Sequence, residues 1–570
     1  MLLAMAMPPL LAFNLPPSST ALNQVLAVGL WSALVLFLTF RGMAGAPALV
    51  AAGLLLATGA ILSWGQGLPP PLTYNGLAMV VASVLLVLSG GSAARDERSR
   101  AWLLASLIIV GTASALVACL QVFLPDAADG NLIARSGLPG RAVGNLRQPN
   151  HLCSLLLWGV IAAVALLEMR RLALKWVVAL VVLMVFAVEL SASRTGALGI
   201  ALLVLWGALD KRLSRPARVL LVATPLIYAL SYGAMSLYGH WTDQAFGAEA
   251  RIASDGAGGG DSPNSRTRIW ANALTLIAQQ PWTGVGFGEF NIAWSLTAFP
   301  GRPTAFFDHT HNLPLQLAVE LGLPLATLVL GLLGIALWQA WKRSGEATGD
   351  AGTAARAAFM LVLMIGLHSL FEYPLWYAYF LLPTAFAWGF ALGSGKGSAS
   401  VDVGAATHVP GEAGGWQTYA GRIVGLVMVA GSVYALADYL RIASIYAPGS
   451  DDAPLAERIA RGQRSLLFGH HADYAAATNP DPLPGRDLAF RRATHHLLDT
   501  RLMMSWAEYL AERGEIDKAR WLAERLREFR NPASDDFFAP CDQGGGDVQA
   551  RPFQCEPPQR SYHWREFVQR

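Results

Sequence analysis

Runs of about 18 to 22 apolar residues recur along the chain, separated by short polar stretches. A helix rises ~1.5 Å per residue and the hydrocarbon core of a bilayer is ~30 Å thick, so ~20 such residues make one crossing. The pattern predicts spans at 1–15, 21–40, 46–64, 76–94, 101–124, 151–167, 172–190, 196–209, 219–238, 312–341, 357–371, 377–392 and 421–439. This is an all-α, polytopic integral membrane protein of about 12–13 transmembrane helices. The first run is short and contains Pro8 and Pro9. It lacks both a basic n-region and a small-residue cleavage site, so it is expected to be a span and not a removable signal.

The pattern changes near residue 440. Residues 1–440 form the predicted membrane domain, in which 239–311 is a large polar loop, and 441–570 are charged and mostly helical. The run SWAEYLAERGEIDKARWLAERLREF, 505–529, has two amphipathic stretches broken at Gly514 and resembles one tetratricopeptide-like helix pair. A single unit without visible repeats gives little support for a repeat array.

Composition supports the membrane reading: 54% of the 570 residues are hydrophobic and 14% are charged, against roughly 25% charged in a soluble domain. A net charge of +3 is too small to point to nucleic acid. Its distribution says more. Basic clusters at Arg41, 95–100, 168–175, 210–218 and 341–346, extended by Lys396 and Arg422, follow alternate spans and mark the cytoplasmic side. Loops 65–75, 125–150, 191–195, 239–311 and 372–376, and the tail after residue 440, then face outward.

That orientation gathers the polar groups suited to chemistry: Arg141, Arg147, Gln148 and His151; Arg194; Arg251, Arg266, Arg268, Asp308, His309 and His311; Glu372 and Tyr373. A guanidinium is a rigid fork of donors matched to phosphate oxygens. Arg194 alone could equally snorkel to headgroups, but several arginines on the face without the positive-inside bias point to a bound anion. In FFDHTHNLPLQLAVELG, 306–322, His311 starts a span and Asn312 lies near its N-cap. An imidazole accepts a proton near neutral pH, and a helix N-terminus favours an anion beside it. The plainer alternative is an interfacial histidine that caps the helix. Metal binding by Asp308, His309 and His311 is disfavoured, because an i, i+2 spacing does not share a helical face. The pairs His470–His471 and His495–His496 read as solvated surface. Cys119 and Cys153 read as apolar filler, whereas Cys541 and Cys555 could pair in an oxidising compartment. No P-loop or D-x-D pair is visible, and GVGFGEF, 284–290, reads as a turn, so a nucleotide-free donor on the outer face is expected.

These residues carry a resemblance. HNLPLQLAVELG, NSRTRIWANALTLIAQQPWTGVGFGEF and SRTGALG resemble motifs of the O-antigen ligase and polymerase superfamily. GNLRQPNHLCSLLLWG, 144–159, and LHSLFEYPLWYAYFLLP, 367–383, are similar to signatures of bacterial protein O-oligosaccharyltransferases of the PglL/PilO type. Leu325 departs from the ligase pattern, where Gly, Thr or Tyr is common. The resemblance implies a GT-C-like fold in the bacterial inner membrane, with active site and tail in the periplasm. It implies metal-independent, inverting transfer of a whole oligosaccharide from undecaprenyl pyrophosphate to Ser or Thr of a pilin-like periplasmic protein, without a cofactor. By motif, His311 is catalytic. Arg194 and Arg266, with Arg268 beside them, hold the pyrophosphate. Gln148, Asn312, Glu372, Tyr373 and Tyr377 position substrate. Within the superfamily the alternatives are the O-antigen ligase, whose acceptor is the lipid A core, and the polymerase. A transporter would need midplane charges and internal repeats, which are not visible.

Overall fold

The computed structural model describes residues 1–38, 46–256, 263–394, 415–542 and 551–568. Arg41, Lys396 and residues 257–262 of the large polar loop lie outside the described residues. Among the described residues the secondary structure is helical, with short 3-10 turns and no strand. Eight helices among the described residues are long and apolar enough to cross a membrane: Pro47–Gly65, Pro70–Ala93, Glu97–Phe123, Pro149–Glu168, Leu174–Ser191, Leu313–Glu346, Gly349–His368 and Trp416–Tyr446. The chain is a polytopic, all-α membrane protein.

Six expected spans differ in detail. The span expected at 219–238 is a pair, Arg215–Val222 and Thr224–Thr242, bent by 42°. Ala21–Val35, Arg194–Leu209 and Ala378–Leu392 are apolar but shorter, at 10–17 residues. The first run yields only Leu2–Leu10, nine residues with Pro8 and Pro9 inside, too short to cross. The span expected from residue 312 is broken at Gly322, whose φ of 75° and ψ of 162° are not helical.

The fold divides into two compact units. One comprises Met1–Gly53, Met79–Ala257 and Gly331–Leu436. Its core surrounds Pro149–Glu168, where an unbroken stretch from His151 to Ala165 is buried. The indole of Trp158 donates to the Leu361 carbonyl at 3.1 Å, so a polar group inside the bundle has a partner. Pro70–Ala93 and Ala378–Leu392 pack backbone to backbone. A Cβ on Gly90 would strike the Phe386 carbonyl, and one on Gly389 the Val87 carbonyl. Small residues at such crossings let helices approach where lipid supplies no hydrophobic driving force.

Glu97–Phe123 begins at Asp96, whose carboxylate accepts from Ser99 N and Ser99 Oγ at 2.7 and 2.8 Å. The Ser99 hydroxyl is the main cause that holds the Asp96 carboxyl below the ordinary carboxylate range. Its contribution to stability is therefore complete at neutral pH and is lost as pH falls through that depressed pKa. Asp96→Ala is expected to cost about 1 kcal/mol. Thermal unfolding at pH 7.5 should show that loss, and the gap to wild type should narrow on acidification.

The second unit comprises Leu54–Ala78, Gly258–Leu330 and Ala437–Arg570. Its core joins Ile269, Leu276, Phe290 and Trp294 to Leu502, Trp506, Leu522 and Phe529 of the tail. The tail pair is Thr500–Glu512 and Ile516–Phe529. Gly514 turns between them at φ 79°, a conformation that costs glycine nothing. Arg302, 1% exposed, binds the tail helix. It donates to Glu528 at 3.1 Å and to the carbonyls of Trp294 and Thr297, and lies over the Phe529 ring at 4.5 Å. Cys541 and Cys555 are joined by a disulfide.

The break at Gly322 belongs to this unit. Val285 N and Gly286 N donate to the carbonyls of Val319 and Glu320 at 2.8 and 3.0 Å, and Leu323 N donates to the Pro281 carbonyl at 2.7 Å. The GVGFGEF turn thus supplies partners for backbone groups that a straight helix would pair internally. A Cβ on Gly284 would collide with the Glu320 carbonyl, and one on Gly322 with Trp282.

Candidate functional site

Three motifs share one local geometry. Arg147, Ala192 and His311 have φ of 57°, 53° and 55°, the left-handed region that non-glycine residues rarely occupy. Each immediately precedes a residue whose side chain caps a helix. Gln148 Oε1 accepts from His151 N at 2.8 Å at the head of Pro149–Glu168. Ser193 Oγ accepts from Gly196 N at 3.0 Å at the head of Arg194–Leu209. Asn312 Oδ1 accepts from Leu315 N at 3.0 Å at the head of the helix beginning at Leu313. Side-chain capping satisfies one amide of the first turn, while the strained residue before it re-aims the incoming chain. Strain of this kind concentrates at functional sites.

In the first unit, Asn150 links the expected positions. Its Nδ2 donates to Glu372 Oε1 at 2.9 Å, and its Oδ1 accepts from Ser193 Oγ at 2.6 Å. Glu372 is buried, and Arg194 is exposed at the first helical position after Ser193. Gln148, Arg194 and Glu372 are thus brought together through a residue the sequence analysis did not single out, although it lies within the QPNH stretch. Asn150→Ala removes both bonds and is expected to cost about 1.5–3 kcal/mol, because one partner is a carboxylate. The melting temperature of the purified protein measures it.

The ring of His151 meets Tyr377 edge-on at 4.6 Å, and Tyr377 stacks on Tyr373 at 5.9 Å. Tyr379 Oη and His151 Nδ1 lie 3.2 Å apart. Ser154 Oγ and His368 Nδ1, 2.8 Å apart, are a further buried polar pair. Two of the outer-loop arginines have structural partners. Arg141 donates to the Ser191 carbonyl at 3.2 and 3.1 Å, and Arg147 donates to the carbonyls of Ala12 and Ser19.

The second unit holds Arg266, Arg268, His311 and Asn312. Trp270 on Pro263–Gln279 donates its indole N–H to the Thr310 carbonyl at 2.9 Å. Arg266, one turn earlier, shares that helical face, so the same side of the helix faces the loop that carries His311. Arg268 lies two residues on, about 200° around the helix. Thr310 N donates to Gln316 Oε1 at 2.7 Å, and Gln316 Nε2 donates to Glu320 Oε1 at 2.9 Å. The Phe307 ring stands perpendicular to His311 at 5.1 Å. Asp308 and His309 pair at 3.0 Å. Desolvation opposes ionisation of Asp308, but the charge and hydrogen bond of His309, with the charge of His311, outweigh it and hold the carboxyl down at about 2. His311 therefore sits in a loop fixed at Thr310, with an anion three residues before it. The signal for Gln316 was its place one turn after Asn312 on the motif helix.

Of the tail histidines, His470 and His495 are buried where adjacency suggested solvated surface, His471 is half-buried and His496 is exposed. His470 is 8% and His495 7% exposed. His495 Nδ1 lies 2.8 Å from Glu289. Burial, then the imidazoles of His496 and His471, holds His470 well below the ordinary histidine range. Packing against helices distant in sequence hides these groups, and no local pattern reports that.

Comparison with known proteins bears on the same segments. The O-antigen ligase profile matches residues 179–330. The C-terminal profile of virulence factor membrane-bound polymerases matches 356–535. The protein glycosylation ligase profile matches 142–167, the segment that holds Gln148 and Asn150. Over these separate segments the chain is similar to PglL-type members of the O-antigen ligase and polymerase superfamily. Within that superfamily it is 28% identical over 347 residues to the general O-oligosaccharyltransferase of Acinetobacter baylyi, strain ATCC 33305 / BD413 / ADP1, covering 58% of each chain. It is 25% identical over 305 residues to the ComP-specific O-oligosaccharyltransferase of the same strain, covering 51% of this chain and 50% of that one. The chain thus spans between half and three-fifths of the length of these relatives.

Proposed function

We propose that the protein moves an oligosaccharide as a block from a polyprenyl pyrophosphate, undecaprenyl in bacteria, to a serine or threonine hydroxyl of a pilin-like periplasmic protein. The observation that carries this reading is the repeated device at Arg147–Gln148, Ala192–Ser193 and His311–Asn312. Three motif helices open directly after a strained residue, each with its N-terminal amides facing the incoming loop. Helix N-termini and guanidinium groups both favour a phosphate-rich leaving group.

In the proposed step the imidazole of His311 takes the proton of the acceptor hydroxyl. The oxygen attacks C1 of the first sugar from the side opposite the pyrophosphate, the C1–O bond to the leaving group breaks, and the configuration inverts. Arg194 and Arg266 stabilise the charge that gathers on the departing pyrophosphate, and Arg268 adds to the field. Gln148, Asn312, Glu372, Tyr373 and Tyr377 hold the sugar and the pyrophosphate in line. The basic clusters put these loops, and a tail domain of 441–570, on the periplasmic side of the inner membrane.

The ligase profile over residues 179–330 favours one second reading, transfer to the lipid A core. Co-expression with a lipid-linked glycan pathway and a pilin-like acceptor separates the two. Glycan on the acceptor, seen by intact mass, is the expected result. Glycan on lipid A core alone would replace this proposal with the second reading.

A further inference from the structure

His470, His471 and His496 form a cluster in the second unit that the transfer reaction does not use. Their ring nitrogens include one from each residue that all lie within 4.8 Å of one another. The rings of His470 and His471 are 4.1 Å apart, and those of His470 and His496 are 3.6 Å apart. Consecutive residues on a helix diverge by about 100°. Here the first turn of Gly469–Ala477 instead directs both side chains to one point, and His496 reaches it from the segment that follows Arg486–Ala493.

Packing alone does not account for this arrangement. His470 is 8% exposed, and neither its Nδ1 nor its Nε2 has a hydrogen-bond partner. An unsatisfied buried polar group costs about 1–3 kcal/mol, and His470 carries two. An imidazole with bare nitrogens, facing two other imidazoles, has the chemistry of a metal ligand in its neutral form.

We infer that His470, His471 and His496 bind a divalent cation of the zinc type as a structural site in the tail. Three nitrogens around a tetrahedral zinc, at ~2.0–2.1 Å from it, are about 3.3 Å apart, and one nitrogen from each of the three histidines already lies within 4.8 Å of the others. The fourth position takes water or a carboxylate. Asp308 and His309 act electrostatically on His496, so the loop that ends at His311 lies within the field of this site. A bound cation would join Gly469–Ala477 to the segment after Ala493 and supply the partners that His470 lacks. Its role is to hold the tail in shape, separate from the chemistry of transfer.

The test uses full-length protein in detergent, freed of any affinity tag, stripped with a chelator and dialysed against micromolar zinc. Metal analysis is expected to find one zinc per chain. His496→Ala, chosen because His496 is the most exposed of the three, should weaken binding by about 10-fold or more. Cobalt in place of zinc should give the intense visible absorption of four-coordinate nitrogen ligation in wild type and lose it in the variant. Zinc should raise the melting temperature of wild type more than that of the variant. Size-exclusion profiles check that the variant is folded, and His471→Gln repeats the measurement if it is not. Wild type that holds no zinc at micromolar concentration, or variants that hold as much as wild type, would overturn the inference whether or not the protein transfers glycan.

Discussion

In the proposed reaction, replacing His311 with alanine is expected to lower the rate of glycan transfer by about 10²- to 10⁴-fold, the usual worth of a positioned general base. The measurement is a timed reaction of purified enzyme, lipid-linked oligosaccharide and acceptor protein, read by intact mass. Amount and melting temperature of the protein should change little, because the loop is held by other groups. Trp270 and Gln316 bind Thr310, and Asn312 caps the helix. The backbone at His311, with φ of 55°, offers a sharper version. Asparagine tolerates the left-handed region and keeps a polar side chain, so His311→Asn should fold as well as wild type and still fail to transfer. Activity within threefold of wild type in both variants would remove His311 from the chemistry and leave it as a turn residue.

The second large effect is on stability. Arg302→Ala is expected to cost about 3–5 kcal/mol, the price of breaking a buried ion pair from one side. Burial pushes the Arg302 guanidinium down to about 10 against the pull of Glu528, so it remains charged at neutral pH. Its loss leaves the carbonyls of Trp294 and Thr297 without this donor and leaves the Glu528 carboxylate paired to Arg525 alone. Lysine keeps the charge but not the fork that serves three acceptors at once, so Arg302→Lys should recover only part of the loss. Thermal unfolding, with limited proteolysis of the tail, reads both. A variant that melts with wild type and resists protease equally would show that the tail does not depend on this anchor.

The apolar spans were legible because bilayer thickness imposes one length on every crossing. The tail pair was legible because Gly514 interrupts two amphipathic runs. Asn312 was legible as a cap, since Asn before an apolar run is the ordinary N-terminal signal. The break at Gly322 was not, because LGLP reads as continuous hydrophobicity, and the partners that make a break affordable come from residues 281–286. In hindsight Gly322 two positions before Pro324 is the local mark. The histidine cluster and the Asn150 bridge were hidden for another reason. Both depend on pairings across long sequence separations, and neither leaves a periodic trace. Arg141 and Arg147 read as anion ligands by residue type, yet the structure shows backbone carbonyls as their partners.

The interruption at Gly322 also bears on how the chain enters a bilayer. Residues 323–346 remain long and apolar enough to cross without the roughly two and a half turns of helix before them. Residues 313–321, with Gln316 and Glu320, are cut off from that segment by a non-helical joint whose amides and carbonyls are already matched within protein. A translocation channel releases sideways only what is continuous and greasy. Residues 323–346 therefore suffice as a crossing segment by themselves, and residues 313–321 need not enter lipid as part of it.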